Sequence, residues 1–277
     1  MRQRSLTGFE KYTKKTRKEQ FLDEMERIIP WSDLTQALKP YYPDPTGPGR
    51  RPKGLERMLR IYFMQHWFNL SDPGMEEALY DSRVMRDFAG IDLGEEPAPD
   101  ESTILKFRHL LEAKNMGAEL LRLVNTYLDE NGLKVSRGTI VDASIINAPS
   151  STKNRDQARD PDMHQTRKGN QWYFGMKLHI GVDSKTKLVH SAVATAANVH
   201  DSQVLDDLLH GEETRVWGDS AYAGQQAALK EAAPRARDFT QHKASRNRAL
   251  SAQERSRNRT KSRVRSRVEH VFHVLKC

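Results

Sequence analysis

Three acidic residues stand in apolar surroundings, and the chemistry they could perform is that of hard-cation ligands. Asp142 interrupts Thr139-Ile140-Val141-Asp142-Ala143-Ser144-Ile145-Ile146, a β-rich run that reads as a buried strand. An unpaired charge in such a place costs on the order of several kcal/mol, so a carboxylate there needs a reason. Asp219 closes Arg215-Val216-Trp217-Gly218, a shorter strand whose glycine would let backbone or ligand approach closely. Taken alone, Asp219 also reads as a turn or helix-cap residue. Glu269 lies among Val268, Val271, Phe272 and Leu275, which recur at helical spacing as a packed face. Carboxylates on neighbouring strands suit Mg²⁺ or Mn²⁺. A third from a later helix would complete a two-metal site, which activates water and stabilises the leaving oxygen in phosphodiester cleavage. Lys276, about two turns beyond Glu269, returns to nearly the same face and could touch a substrate phosphate.

Charge points to the same class of substrate. Residues 235–277 hold 13 Lys/Arg against three acids, a net of +10 in a chain whose total is +8, so residues 1–234 sum to −2. Basic charge gathered beside a carboxylate marks a polyanion site, and nucleic acid is the natural polyanion. The competing reading is a solvated basic tail. Arg255, Arg257, Arg259, Lys261, Arg263, Arg265 and Arg267 occupy every second position, which spreads charge around a helix. Only some of them can meet one DNA backbone.

The elements that must position these groups divide at Gly132. Before it the chain reads as helical. Leu55, Met58, Leu59, Tyr62, Phe63 and Trp67 form one apolar stripe, Asp100 caps a helix carrying Ile104, Phe107 and Leu111, and a further helix runs from Met116 to a stop at Asn131-Gly132. Tyr42 to Pro52 is loop by composition. After Gly132 the order is strand, strand, strand, helix, strand, helix. The run around Asp142 comes first, and residues 149–170 form an exposed, mobile loop. Tyr173–Val182 and Lys187–Thr195 pair as a hairpin about Asp183-Ser184-Lys185-Thr186, Ser202–Leu209 is a short helix, and Arg215–Gly218 is the fourth strand. This order can bring Asp142 and Asp219 to neighbouring strands of one sheet.

Three segments resemble the catalytic core of bacterial insertion-sequence DDE transposases, specifically the insertion sequence five group. They are Thr139-Ile140-Val141-Asp142-Ala143-Ser144, Val216-Trp217-Gly218-Asp219-Ser220-Ala221-Tyr222 and Arg263-Val264-Arg265-Ser266-Arg267-Val268-Glu269-His270-Val271-Phe272. Ala196-Ala197-Asn198-Val199-His200-Asp201-Ser202 is similar to the segment between the third strand and the following helix of those enzymes. Asp100-Glu101-Ser102-Thr103-Ile104-Leu105-Lys106-Phe107-Arg108 is similar to the domain preceding their core. The resemblance implies an α/β fold: an RNase H-like catalytic core with a mixed five-stranded sheet over residues 137–277, after an all-helical DNA-binding domain over 1–132. It implies Asp142, Asp219 and Glu269 as catalytic metal ligands, Mg²⁺ as cofactor with Mn²⁺ able to substitute, and DNA cleavage and strand transfer at terminal inverted repeats. Double-stranded DNA is the implied partner, met by Arg263, Arg265, Arg267 and Lys276, with a homodimer bridging two DNA ends. The family's Tyr-Arg-Glu-Lys pattern is met by Arg265, Glu269 and Lys276, with Ser262 at the tyrosine position. The chain ends soon after Glu269, so a C-terminally truncated member is expected, with a catalytically inactive DNA-binding remnant as the alternative. A structure-specific nuclease on the same fold is a further rival.

Other groups carry less. His200-Asp201 reads as a helix start, His270 and His273 lack partner ligands for zinc, and Trp172 and Trp217 read as core. The only cysteine is Cys277, which excludes disulfide frameworks and cysteine-based zinc sites within one chain. No run reaches the roughly 18 apolar residues of a membrane span. With no export signal behind the basic N-terminus, a cytoplasmic protein is expected.

Overall fold

The computed structural model describes residues 14–44, 46, 51–133, 137–150, 152–153 and 157–276. Cys277 and parts of the expected loops, at 45, 47–50, 151 and 154–156, lie outside them. The chain forms two compact units, residues 1–127 and 128–277.

The first unit is helical because its apolar residues recur on helix faces between strong start and stop signals. It contains α1 (Arg17–Ile28), α2 (Trp31–Leu38), α3 (Leu55–Trp67), α4 (Asp72–Asp81), α5 (Arg83–Ala89), α6 (Glu101–Ala113) and the greater part of α7 (Met116–Glu130). Thr16 and Glu19 form a reciprocal capping box at α1, and Gly90 ends α5 with φ of 64°. Asp100 caps α6 as its sequence foretells, accepting from the Thr103 N–H at 2.7 Å. Ile104, Phe107 and Leu111 are all buried beneath that helix. Asp100→Ala is therefore expected to cost about 1 kcal/mol of stability, read as a lower Tm or denaturant midpoint. The α3 stripe is only partly as expected. Met58 and Leu59 are fully buried, but Tyr62, Phe63 and Trp67 are half-buried, while Ile61 and Met64 off the stripe are sealed. Neighbours on more than one side of α3 make the buried arc wider than one stripe.

The second unit is a mixed sheet covered on both faces. Its elements are β1 (Gly138–Asn147), β2 (His164–Lys168), β3 (Gln171–Asp183), β4 (Val189–Ala196), β5 (Arg215–Trp217), α8 (Gln226–Ala232), β6 (Arg237–Asp238), α9 (Ala252–Arg265) and α10 (Arg267–Lys276). Strand β1 is antiparallel to β3 and parallel to β5, and β6 extends the sheet parallel to β5. Along its other edge β3 pairs first with β2, over Gln171–Gly175, and then with β4, over Met176–Val182. One face packs Ile140, Ile180, Val182 and Trp217 against Val268, Val271 and Phe272 of α10. The other packs Val141 and Val216 against Val204, Leu205, Leu208, Tyr222 and Leu229.

Several expectations need correction. Among the described residues the sheet has six strands, not five, because His164–Lys168 of the expected mobile loop is β2. Its side chains are largely exposed and carry no apolar alternation; it is held by its pairing with β3 around Gly169, whose φ is 63°. Trp172 on the facing strand is 65% exposed rather than core, whereas Trp217 is buried as expected. The expected helix at Ser202–Leu209 is two tight 3₁₀ turns, closed by Gln203 N–H to His200 O at 2.9 Å and Leu208 N–H to Leu205 O at 3.1 Å. His200 starts the first turn, accepting from the Ser202 N–H, as its helix-start reading requires. The arginine-rich segment is helical as expected, as α9, and a break at Ser266 separates it from α10, which carries Glu269. Leu275 is 51% exposed and leaves the packed face of Val268, Val271 and Phe272. No helix among the described residues is long and apolar enough to cross a membrane.

Candidate active site

The parallel pairing of β1 with β5 places two of the three carboxylates. Gly138 faces Arg215, Thr139 faces Val216 and Ile140 faces Trp217. Asp142 and Asp219 each follow two residues after that last pair, so they stand at matched levels, Asp142 within β1 and Asp219 just past the end of β5. By strand alternation Asp142 belongs to the face of Ile140 and Trp217, the face that α10 covers, and Asp219 follows Trp217 at the end of β5. Gly218, in between, stands where a side chain would be crowded. A Cβ there would lie 3.0 Å from the Tyr222 ring, 3.2 Å from Val141 Cγ2 and 3.3 Å from Thr240 Cγ2. Asp219 also caps the turn Ser220–Tyr222, accepting from the Ala221 N–H at 2.7 Å. The turn-cap and cation-ligand readings of this residue are thus compatible, since one carboxylate oxygen remains.

Glu269 enters from α10. Val268, Val271 and Phe272 seat the helix on the sheet, and Glu269 stays 63% exposed on its solvent side. Arg265, at the end of α9, joins the groups. Its Nη1 donates to Asp142 Oδ2 at 2.5 Å and its Nη2 lies 3.6 Å from Glu269 Oε1. One guanidinium therefore spans the two carboxylates, while its Nε is buried without a hydrogen-bond partner among the described residues. Ser262, at the family's tyrosine position, accepts from Gln241 Nε2 at 2.7 Å.

Burial pushes the Asp142 carboxyl up to about 6. Arg265 and the Ala143 N–H oppose the shift, while the charges of Asp219 and Glu269 add to it. Asp219 and Glu269 are therefore close enough for their charges to act on Asp142, with the Arg265 guanidinium opposing them. Sequence reasoning missed Tyr222, whose buried hydroxyl has no hydrogen-bond partner among the described residues. Burial raises its pKa first, and Asp201, Asp142 and Asp219 raise it further. Its place three residues after Asp219 was the available signal. Asp201 is itself held by Lys177, whose Nζ donates to Asp201 Oδ1 at 2.8 Å and to the Val199 carbonyl at 2.6 Å.

This balance gives a pH prediction for the protein in chelator. The folded Asp142 pKa lies above the unfolded value of about 3.9, so from about pH 4 to 6 the folded state binds the extra proton. Stability contributed by this group falls as pH rises through that window, and the penalty is complete above it. Asp142→Asn is expected to be more stable than the parent at pH 8 by about 1–3 kcal/mol, with the difference vanishing near pH 4. Melting temperatures of both proteins across that range test it.

The four expected DNA-contacting cations do not form one row. Arg263 is exposed, and Arg265 turns inward to Asp142. Arg267 donates to the Ser184 carbonyl, and Lys276 donates to the Ile145 carbonyl at 3.2 Å. Ser184 lies beside the start of β1 and Ile145 near its end, so Arg267 and Lys276 reach opposite ends of that strand.

Residues 134–277 match the family model described as Transposase DDE domain, and residues 10–110 match Transposase domain (DUF772). No solved structure matches the chain. With the first match covering more than half of its length, in the unit that carries Asp142, Asp219 and Glu269, the chain belongs to the DDE transposases.

Proposed function

We propose that this transposase is of the insertion sequence five group, cuts double-stranded DNA at the terminal inverted repeats of its element, and joins the freed 3′-OH to target DNA. The observation that carries the reading is the matched level of Asp142 within β1 and Asp219 just past the end of β5, two residues beyond the last β1–β5 pair, beside the face where the Glu269 helix packs. In this reading β1, β3, β4, β5 and β6 are an RNase H-like core and β2 is an addition to it. Hard oxygen donors around a carboxyl raised by burial, with its acidic neighbours adding to the shift, fit a divalent cation. Asp142, Asp219 and Glu269 would hold Mg²⁺, with Mn²⁺ as substitute, and bound there it supplies Lewis acidity at the phosphodiester and an easily deprotonated water.

The remaining roles fall to the chain's cations and helices. Arg265 keeps Asp142 compensated before DNA arrives and then turns to a phosphate. Arg263, Arg267 and Lys276 bind the backbone, with affinity falling on a log-log salt plot by about 0.9 per contact. Residues 1–132 read the terminal repeat, and a homodimer bridges two ends. Incubation with Mg²⁺ and a supercoiled plasmid carrying candidate repeats is expected to give nicked and linear DNA, none of it in chelator. Salt-sensitive binding without cleavage in Mg²⁺ or Mn²⁺ would make the chain a DNA-binding remnant. Equal cleavage of plasmids with and without repeats would make it a structure-directed nuclease.

A further inference from the structure

A second group of ligand-bearing side chains lies at the other end of the sheet. His190 of β4, His210 and Glu213 each place one ligand atom within 4.8 Å of the others. His210 Nε2 is 3.3 Å from Glu213 Oε1, Thr139 Oγ1 is 3.2 Å from the same oxygen, and Thr139 Oγ1 is 3.1 Å from His190 Nε2. These three separations are near the edge of a tetrahedron whose ligands sit about 2.0–2.1 Å from its centre, the bond length of zinc to histidine or carboxylate, and the other pairs among the three ligands lie within 4.8 Å. Thr139 is three residues before Asp142, about 10 Å along the strand, and by alternation on the opposite face. This cluster is separate from the carboxylate site.

Two features mark it as built. Glu213 is fully buried, yet its only ionic partner among the described residues is His210, with the remaining contacts coming from the Thr139 hydroxyl and the His210 and Gly211 N–H groups. Buried carboxylates are ordinarily matched by a cation or a metal. The sheet also makes room for the imidazole. A Cβ on Gly181 would meet His190 Cε1 at 2.8 Å and the Leu208 carbonyl at 2.4 Å, so the ring occupies space that only glycine leaves. Ser191 Oγ lies 2.9 Å from His190 Nδ1 and can orient the ring as an outer partner does in metal sites.

We propose that His190, His210 and Glu213 bind a zinc-type transition-metal cation that clamps the loop before β5 to β1 and β4. Two imidazoles and one carboxylate select zinc-type ions over Mg²⁺, and Thr139 or water completes the set. Uptake requires the His210 proton to move from Nε2 to Nδ1, giving up the 3.3 Å contact that Nδ1 accepts from the Glu212 N–H, and the His190 proton to move from Nε2, which donates to Thr139 Oγ1, to Nδ1, where it is donated to Ser191 Oγ. Both tautomers change, and the net charge of neither ring does.

The test uses the full chain stripped with chelator and then given Zn²⁺ alone. Retention of one equivalent after dialysis and a higher Tm that Mg²⁺ does not reproduce are expected. His190→Ala and His210→Gln should each weaken Zn²⁺ binding at least about 100-fold, beyond the loss of an outer partner. The glutamine amide can keep the hydrogen bond to Glu213, so His210→Gln should match the parent in chelator and lose only the Zn²⁺-dependent rise. Co²⁺ should give a tetrahedral absorption spectrum with the folded parent. No retention by the folded parent, or retention unchanged in both variants, overturns the proposal. Asp142→Ala should bind Zn²⁺ like the parent whatever becomes of DNA cleavage, which keeps the two proposals apart.

Discussion

Asp142→Ala is expected to lower DNA cleavage by about a thousandfold or more while changing DNA affinity by no more than a few fold. A divalent cation contributes several kcal/mol at a phosphodiester, and about 4 kcal/mol is a thousandfold in rate. Asp142 is the buried member of the three acids, so its loss removes the ligand least replaceable by water. Nothing in its position makes it a DNA anchor, because its free oxygen faces Arg265. Removing it frees that guanidinium, which should leave binding intact or slightly stronger. Glu269→Gln is the companion variant. That residue is 63% exposed, so its loss should leave stability unchanged and still remove cleavage. Rates on a supercoiled plasmid, beside binding to a labelled repeat, measure both. Cleavage by Asp142→Ala within tenfold of the parent would remove it from the site.

Gly175→Ala is expected to be the most damaging single methyl group in the second unit. Gly175 has φ of 148°, a backbone state that L side chains rarely adopt, and a Cβ there would lie 2.1 Å from the Ile146 carbonyl oxygen. The obstructing atom is backbone in the β1–β3 ladder and cannot swing aside as a side chain could. Strain and overpacking of this kind each cost about 1–3 kcal/mol, so a loss of about 3–5 kcal/mol is expected. The position is also where β3 passes from β2 to β4: Gly175 faces His164 and Asn147, and its carbonyl accepts from the Ala197 N–H at 3.2 Å. Chemical denaturation of parent and variant measures the cost. A change below 1 kcal/mol would mean that the strand shifts freely at this point.

Much of this was legible in the sequence because it depends on neighbours in the chain. Asp100 caps α6 through an amide three residues away, and Gly218 precedes an acid that caps its own turn. The apolar spacing of Val268, Val271 and Phe272 announces a helix that must lie on something. Such interactions close within one or two turns, so residue type and spacing determine them. The β2 strand was not legible, because its exposed side chains carry no pattern and only pairing with β3 gives it shape. The same holds for Trp172, exposed although it sits in a strand, and for Leu275, which falls beyond the part of α10 that the sheet covers.

The sequence by itself determined which acids stand among apolar residues and which segment holds the positive charge. Tertiary structure alone decided that Arg265 turns inward to Asp142 across 123 residues of chain. It also decided that His190, His210 and Glu213 meet around Thr139. Strand pairing within the sheet and the packing of α10 on it bring such distant residues together, and the energy of those contacts depends on burial and on which charges face each other, neither of which has a period along the chain.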